Sequence, residues 1–397
     1  MRLFKFTRLF LLFIFGLLSV TQVLPNALNP NISIIGDFVD TQGPMKDTTA
    51  NRISARETEV GLQASVDPYA RADFFISFPE GKTPELEEGY VSLLSLPWNF
   101  RARGGKFKPQ FGRLNMVHGH ELPQVDPALV LSSFLGEEGL TDTGLEVSKI
   151  FAPLEIFTEV SYSLLNGVGE ENEKEPTTTT VTDTKGNTVT VKVNAEESKV
   201  ERQIRNFAHV SKIRFYKDLT DTTNFELGLS ALLHQPKERK QTKMGAVDFT
   251  FRWKPLQKGT YHSFIWRTEV LYSDRILPKE TSLLTGAVIT PQRRLHRRGA
   301  YSYVEFQPAQ RWKFGVRGDY VESPEAANAT VTLQDGTPRL VETSITRAFS
   351  PYVTFTLSEF NRFRLEYQNK QVPGDDVDHR IFLQWTVVLG PHGAHPF

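Results

Sequence analysis

The sequence predicts an all-β fold, a transmembrane antiparallel up-and-down β-barrel of about sixteen strands, and three observations support it. Apolar and polar residues alternate in segments of about ten residues, for example at 59–66, 247–253 and 381–387. Aromatic residues are abundant, with 29 Phe and 11 Tyr, although only 39% of all residues are hydrophobic. Short turns and longer loops alternate between the predicted strands, which is typical of barrels that span membranes.

The N-terminus has the layout of a secretory signal peptide. Basic residues precede an apolar run at 9–18, and small residues follow near Ala27. The run is shorter than the roughly 20 apolar residues that a spanning helix requires. We therefore expect a signal peptide at 1–27 and one barrel domain at 28–397, with an uncleaved N-terminal anchor as the alternative.

Composition excludes several classes of function. The 46 basic and 46 acidic residues cancel, so a nucleic-acid partner is not expected. The chain has no cysteine and therefore no disulfide framework. No nucleophile elbow, phosphate-binding loop or HExxH motif is present, so we expect neither enzymatic activity nor a cofactor.

The connections predict two different rims. With an even number of strands, both ends of the barrel lie at the rim of short turns, which we expect to face the periplasm. Four of the five tryptophans fall at or near this rim, and Trp266 lies slightly further in, as in an aromatic girdle at a membrane interface. Hairpin-like pieces occur at 177–193 and 329–341. The longer loops are predicted at 40–53, 108–139, 166–202, 275–298 and 323–342.

The segment 108–139 is the most unusual part of the chain. It shows neither strand alternation nor a helical face, yet it is too apolar for a solvated loop. We expect this third loop to fold inward and narrow the lumen. Its charges, with those of the strand before it, either create a transverse field at a constriction or pair and fix the loop to the wall. The candidate constriction residues are Arg101, Arg103, Lys106, Lys108, Arg113, Glu121, Asp126, Glu137 and Glu138.

The polar face of the later strands predicts a charged, water-filled lumen. Arg or Lys facing lipid at mid-depth would cost about 2–4 kcal/mol, whereas the same residue facing inward stays hydrated. On the earlier strands, Glu57 and Glu59 are placed on the same inner face. The candidate wall residues are Arg252, Arg267, Arg317, Arg362, Arg364 and Arg380.

Two histidines in the long loop, His118 and His120, are candidate metal ligands. A His-x-His pair is a weak signal, because a metal site needs three or four converging ligands. Ordinary polar loop histidines are the alternative, and the same choice applies to His392 and His395 in the tail.

The signal layout, the strand pattern, the long third loop and the terminal Phe397 together resemble bacterial outer-membrane porins, in particular the phosphate-selective porin-like group. The resemblance implies an inward third loop and a constriction lined by Arg101, Arg103, Lys106 and Lys108. It also implies a homotrimer, outer-membrane lipid around the barrel, and recognition of the terminal aromatic by the outer-membrane assembly machinery.

The segment FLGEEGLTDTGLEVS, residues 134–148, also resembles barrels that are labelled zinc-regulated or TonB-dependent receptors. The chain departs from true TonB-dependent receptors because it has no plug domain before its first predicted strand.

The favoured function is an outer-membrane porin through which small hydrophilic solutes or ions diffuse passively. The alternative is a plugless outer-membrane receptor for uptake of a ligand or metal such as zinc, with its lumen gated by 108–139. A third possibility is a surface adhesion scaffold that uses the loops at 166–202 and 323–342.

Overall fold

Sixteen antiparallel strands form one closed barrel, in which each strand pairs with its neighbours in sequence and the first pairs with the last. The computed structural model describes residues 30–43, 52–168, 178–182, 188–192, 207–235, 241–257, 259, 261–277, 280–281, 288–290, 293–322, 330–332, 338–340, 345–372 and 377–391. The predicted fold class, strand number and strand order are confirmed. The predicted signal peptide lies outside the described residues.

The barrel strands are numbered in chain order. They are β1 (Asn31–Gln42), β2 (Arg52–Ser65), β3 (Ala70–Pro79), β4 (Glu85–Leu96), β5 (Phe100–Phe107), β6 (Asp142–Phe151), β7 (Phe157–Leu165), β8 (Ala208–Thr220), β9 (Thr223–His234), β10 (Gln241–Trp253), β11 (Ser263–Leu277), β12 (Arg293–Ala309), β13 (Trp312–Glu322), β14 (Ile345–Ser358), β15 (Asn361–Gln371) and β16 (Asp378–Leu389).

The two rims differ as the sequence predicts. The connection between β8 and β9 is only 221–222, and that between β14 and β15 is 359–360. Much longer connections, such as 108–141 and 166–207, join strands at the opposite rim. Because Ile34 pairs with Leu389, the start of β1 and the end of β16 meet at the short-turn rim. The loop predicted at 275–298 is shorter than expected, because β11 continues to Leu277 and β12 begins at Arg293.

The strands expose an apolar outer face, and their buried face carries many polar side chains. On β16, Ile381, Leu383 and Trp385 are exposed, whereas Gln384 and Thr386 are buried. In a closed barrel the buried face is the inner one, so the side-chain alternation places polar groups toward the lumen. Glu59, Asp248, Glu269, Arg317 and Glu366 are fully buried members of that inner face.

The tryptophans lie where the sequence predicts. Trp98 follows β4 in a short turn and is 82% exposed, and Trp312 and Trp385 are exposed near the same rim. Trp385 stacks on Phe363 at a ring-centroid distance of 5.9 Å. These rings form part of an aromatic band on the outer face near the short-turn rim.

Two of the longer loops contain the predicted hairpins. Thr178–Thr182 pairs with Thr188–Lys192, and Thr330–Thr332 pairs with Pro338–Leu340. A third small hairpin, which the sequence did not predict, pairs Glu280–Thr281 with Val288–Thr290. Within the described parts of the chain, no helix has the length and apolarity to cross a membrane.

The segment between β5 and β6, called loop 108–141 from here on, contains a short helix α1 (Leu129–Leu135). The expectation that this region has no helical face is wrong at that point. Val130, Leu131, Phe134 and Leu135 are all buried, and α1 packs against β12 and β13. Apolar residues at this spacing form one helical stripe, but the stripe is too short to stand out in the sequence.

The largest apolar cluster joins loop 108–141 to inner-face residues of the wall. From the loop it includes Phe111, Leu114 and Leu122, as well as the helix residues. From the wall it includes side chains of β7 to β13: Leu165, Ala208, Val210, Leu232, Met244, Ala246, Leu271, Tyr301, Tyr303 and Val321. The inner face is therefore not uniformly polar, and its apolar part is covered by the loop, whose apolar residues pack there.

Candidate functional site

Loop 108–141 is hydrogen-bonded to strands distributed around the barrel. Arg56 donates to the Val125 carbonyl at 2.6 Å, and the Val125 N–H donates to Glu366 at 2.7 Å, so one residue of the loop is held by both β2 and β15. The side chains that bind the loop backbone come from ten strands: Arg56 (β2), Glu88 (β4), Arg103 (β5), Glu146 (β6), Lys212 (β8), Ser230 (β9), Arg275 (β11), Arg297 (β12), Asp319 (β13), and Arg362, Arg364 and Glu366 (β15).

On one side of the loop, His118 lies in a group of buried charges that we call the carboxylate cluster: Glu59, Glu87, Glu88, Lys108 and His118. His118 Nδ1 lies 2.7 Å from Glu59 Oε2 and 3.2 Å from Glu87 Oε2, and its Nε2 lies 2.8 Å from Glu88 Oε1. Lys108 Nζ lies 2.6 Å from Glu87 Oε1. Desolvated charges of this kind need close partners, and each charge here has one.

A β-bulge explains why two adjacent glutamates reach this cluster. Glu88 pairs with Phe75, and Leu86 pairs with the next residue Ile76, so Glu87 is an extra residue in β4. Glu87 and Glu88 are consequently both buried, although neighbouring residues of a regular strand face opposite sides. Sequence alternation missed both residues. The signal that was available is the acidic pair itself, since a regular strand would expose one of them to lipid.

The loop members of the cluster are held in their charged forms. Burial alone would lower the pKa of Lys108, but the carboxylates of Glu87 and Glu88 raise it above its ordinary value. Burial and the nearby Lys108 would also lower the pKa of His118. The Glu87 and Glu59 carboxylates outweigh both effects, so the pKa of His118 lies well above its ordinary value. The cationic side chains of the loop thus bind carboxylates of the wall and hold the loop against it.

The predicted basic residues before the loop are separated by the strand geometry. Arg103 lies on the inner face and makes two hydrogen bonds to Glu146 at 2.9 and 3.1 Å. Arg101 is on the same face, nearer the short-turn rim, and is exposed. Lys106 lies three residues after Arg103, so it is not on the same face of the strand. Its side chain donates to the Leu86 carbonyl at 2.6 Å. These residues do not meet at one point.

The predicted acidic residues of the loop are also divided. Asp126 is paired with Arg317 at 2.8 Å and accepts a hydrogen bond from Gln368 at 2.8 Å. Glu137 and Glu138 are exposed. At Lys108 and Asp126 the structure therefore has the pairing arrangement, in which loop and wall charges neutralise one another. Arg103 is neutralised within the wall by Glu146.

On its other side the loop borders a cavity of about 400 Å³, which we call the arginine cavity. The lining extends from 358–361 at the short-turn rim to 113–123 in the loop. Its ionisable residues are Arg113, His120, Glu121, Arg252, Arg267, Glu305, Lys313, Glu359, Arg362 and Arg364. With His120 neutral, the six cations exceed the three carboxylates, so the lining carries a net positive charge.

Three of these arginines are balanced only by neutral groups. Arg267 donates to Thr250 at 3.0 Å and lies over the Tyr303 ring, and Arg364 donates to Gln384 at 2.7 Å. Arg362 donates to the His120 carbonyl. Among the described residues, no carboxylate oxygen lies within 4.0 Å of Arg267, Arg362 or Arg364. The three arginines are therefore not directly ion-paired, although Glu121 and Glu305 line the same cavity.

Two charged loop residues in the lining, Arg113 and Glu121, have shifted pKa values. Burial and the neighbouring Arg267 charge lower the pKa of Arg113 to about 10. Burial raises the pKa of Glu121 to about 7, against the opposing effect of His118 and Arg362. Burial, which disfavours the charged form of either group, is thus the main cause of both shifts, and the like charge of Arg267 adds to it at Arg113.

Of the six predicted wall arginines, four line the arginine cavity: Arg252, Arg267, Arg362 and Arg364. Arg317 is fully buried and bonded to Asp126 and Asp319 instead. Arg380 lies on β16 and is paired with Asp378 at 2.8 Å. The predicted histidines are divided in the same way, since His118 faces the carboxylate cluster and His120 lines the cavity.

No protein-family model matches the chain. An uncharacterized protein of Aquifex aeolicus (strain VF5) is 27% identical over 420 residues, which cover 96% of this chain and 83% of that protein. OmpT of Vibrio cholerae, folded in vitro, superposes with a TM-score of 0.51 at 9% identity, over 93% of this chain and 100% of OmpT. The anion-selective porin from Comamonas acidovorans superposes with a TM-score of 0.51 at 9% identity, over 91% of this chain and 100% of the porin. The chain has the barrel fold of these outer-membrane proteins.

Proposed function

We propose that this protein is an outer-membrane channel through which small hydrophilic solutes and ions diffuse passively. The closed barrel supports this function, because its apolar outer face suits lipid and its inner face is polar. The signal peptide at 1–27 directs export, and residues 28–397 form the barrel domain. The short-turn rim, with both ends of the barrel, faces the periplasm.

Loop 108–141 folds into the lumen and narrows it. Support comes from its hydrogen bonds to inner-face side chains of ten strands and from its apolar contacts with β7 to β13. Solutes then pass beside the loop, through the arginine cavity. The candidate constriction residues from this loop are Arg113 and Glu121, which line that cavity. Arg103, Lys108 and Asp126 instead hold the loop in place.

The channel favours anions. The observation that carries this is the set of three arginines, Arg267, Arg362 and Arg364, that line the cavity without a carboxylate partner. Unpaired charge acts on passing ions, whereas the field of a tight pair falls off quickly. Since the sequence resembles phosphate-selective porins, inorganic phosphate is the first solute to test beside chloride.

Outer-membrane lipid surrounds the exposed apolar band, and the assembly machinery recognises the terminal Phe397, which lies outside the described residues. A homotrimer is also proposed. OmpT of Vibrio cholerae has a trimer form.

The test is a reversal-potential measurement in a salt gradient, with the purified protein in a planar bilayer. We expect discrete conductance steps and an anion preference. Removing one unit charge at about 7 Å from an ion changes its energy by about 0.6 kcal/mol in a water-like medium. Arg364→Gln should therefore lower the anion preference about threefold. Arg380→Gln is the matched control, because its charge is paired with Asp378 outside the cavity.

Two results would contradict the proposal. A barrel that gives no conductance steps in any salt is not an open channel. A channel whose selectivity is the same in wild type, Arg364→Gln and Arg380→Gln conducts by a route other than the arginine cavity. Replacing chloride with phosphate in the wild-type experiment then shows whether phosphate is preferred among anions.

A further inference from the structure

The carboxylate cluster has the geometry of a metal site. One donor atom from each of Glu59, Glu87 and His118 lies within 4.8 Å of the other two, and all three residues are buried. They come from three separate parts of the chain, β2, β4 and loop 108–141. Convergence of a nitrogen and two carboxylate oxygens from distant segments is what a bound cation requires. Of the two predicted ligands only His118 belongs to this group, and Glu59 and Glu87 are ligands that the sequence alone did not reveal.

The hydrogen bond on the far side of His118 orients the ring for a metal. The protonated ring donates from Nε2 to Glu88 Oε1 at 2.8 Å and from Nδ1 to Glu59 Oε2 at 2.7 Å, and Glu87 Oε2 lies 3.2 Å from Nδ1. An ion that replaces the Nδ1 proton would meet the lone pair of that nitrogen and both carboxylates, while the Nε2–H bond to Glu88 keeps the ring in place. Metal-binding histidines are commonly held by a carboxylate in this way.

The charge of the cluster also fits a divalent cation. The three carboxylates and Lys108 leave a net charge of −2 when His118 is neutral, which one divalent ion cancels. Lys108 occupies Glu87 Oε1, so Oε2 of that carboxylate remains for the ion. Glu59 Oε1 is buried and accepts no hydrogen bond from the part of the chain that the structure describes.

We propose that Glu59, Glu87 and His118 bind a divalent cation of the zinc type, and that Glu88 positions the imidazole. An ion with bonds of about 2.1 Å in tetrahedral geometry separates its donor atoms by about 3.4 Å. The present separations of 2.7 and 3.2 Å reach this value by side-chain shifts of a few tenths of an ångström. The ion fastens loop 108–141 to β2 and β4. This role does not depend on which solutes the barrel passes.

The experiment is a zinc titration of the full chain, refolded in detergent and stripped with a chelator. We expect one equivalent to bind with saturation, with Mg²⁺ unable to compete. His118→Gln and Glu87→Gln should weaken zinc binding at least 100-fold, and Glu88→Gln, which removes only the positioning carboxylate, about 10–100-fold. Glu322→Gln is the control, since it changes a paired carboxylate outside both the cluster and loop 108–141 and should leave zinc affinity unchanged. Absence of saturable binding, or equal affinity in His118→Gln, overturns the proposal.

A second measurement avoids any variant that fails to fold. The zinc absorption-edge spectrum of the loaded wild-type protein should show one imidazole and otherwise oxygen ligands. Two or more imidazoles would place the ion on other histidines, such as those of the tail, and would also overturn the proposal.

Discussion

The carboxylate cluster and the arginine cavity lie on two sides of the same loop, and they treat charge in opposite ways. In the cluster, Lys108 and His118 are both within 3 Å of a wall carboxylate. At the cavity, Arg267 and Arg364 are bonded to neutral groups. Paired charges that are removed from water hold the loop in place. Charges that border a cavity without partners are free to act on what enters it.

The switch between these two environments takes only two residues. His118, which precedes the 3₁₀ turn Gly119–Glu121, is bonded to wall carboxylates. His120, inside that turn, lines the cavity. Gly119 stands between them, and no atom of the described residues lies within 4 Å of where its Cβ would be. A pair that looks like one motif in the sequence is therefore only partly divided between the two sites, because His120 Nδ1 still lies 3.9 Å from Glu59 Oε2 of the carboxylate cluster.

The largest effect is expected where a buried pair is broken. Lys108→Met leaves Glu87 buried beside the other carboxylates without its cation, and we expect a loss of about 3–5 kcal/mol in the free energy of unfolding. Urea unfolding of the refolded barrel measures this loss. The control, Arg52→Met, breaks an ion pair whose side chains are 58% and 40% exposed, and should change the free energy by less than about 1 kcal/mol. Equal losses in the two variants would mean that the cluster does not anchor the loop.

A smaller effect is expected from the loop backbone beside the wall. Gly112 has a φ of +60°, and a Cβ added there would lie 1.7 Å from Glu269 Oε1. Gly112→Ala should therefore destabilise the protein by about 1–3 kcal/mol. Gly119→Ala, on the same loop but in open space, is the matched control and should be close to neutral. If Gly112→Ala unfolds at the same urea concentration as the control, the loop does not approach β11 this closely.

Much of the fold could be predicted from the sequence because alternation is a local signal. Strand number, the two rims and the inner-face residues, such as Glu59 on β2 and Arg317 on β13, follow from period-two patterns and turn residues. The helix α1 could not be predicted, since its seven residues are stabilised by contacts with β12 and β13 rather than by a strong local pattern.

The candidate site was less predictable because pairing partners are set by tertiary structure. Nothing local shows that Lys108 meets Glu87, which a β-bulge turns inward, or that Asp126 meets Arg317 nearly two hundred residues away. The sequence predicts that the basic residues of β5 and the acidic residues of the loop meet at one constriction. In the structure, Arg103 is neutralised by Glu146 on the adjacent strand, and the arginines that are not directly ion-paired belong to β11 and β15.

A substitution at Glu305 should raise the anion preference, whereas Arg364→Gln should lower it. Glu305 lines the arginine cavity, where it is paired with Lys313 at 3.1 Å. Glu305→Gln removes a negative charge and frees Lys313, so the anion preference should rise about threefold by reversal potential. Glu322→Gln is the matched control, because Glu322 pairs with Arg298 away from the cavity. A fall in anion preference in Glu305→Gln would contradict the assignment of the cavity as the ion path.

The smallest effect is expected from acidification at the Asp126 anchor. Burial alone would raise the pKa of Asp126, but the Arg317 guanidinium, together with hydrogen bonds from Arg317 and Gln368, lowers it below its ordinary value. A carboxylate whose folded pKa is depressed stabilises the protein above its unfolded pKa, about 3.9, and this stabilisation is lost only as the pH falls further. Conductance and its noise should therefore be the same at pH 7 and pH 5 as far as this anchor is concerned.

Asp126→Asn, measured at pH 7, reproduces the protonated state and should show the added noise of a loosened loop. Wild-type noise that rises between pH 7 and pH 5, with no such rise in Asp126→Asn, would show that Asp126 is protonated in this range and that Arg317 does not hold it ionised.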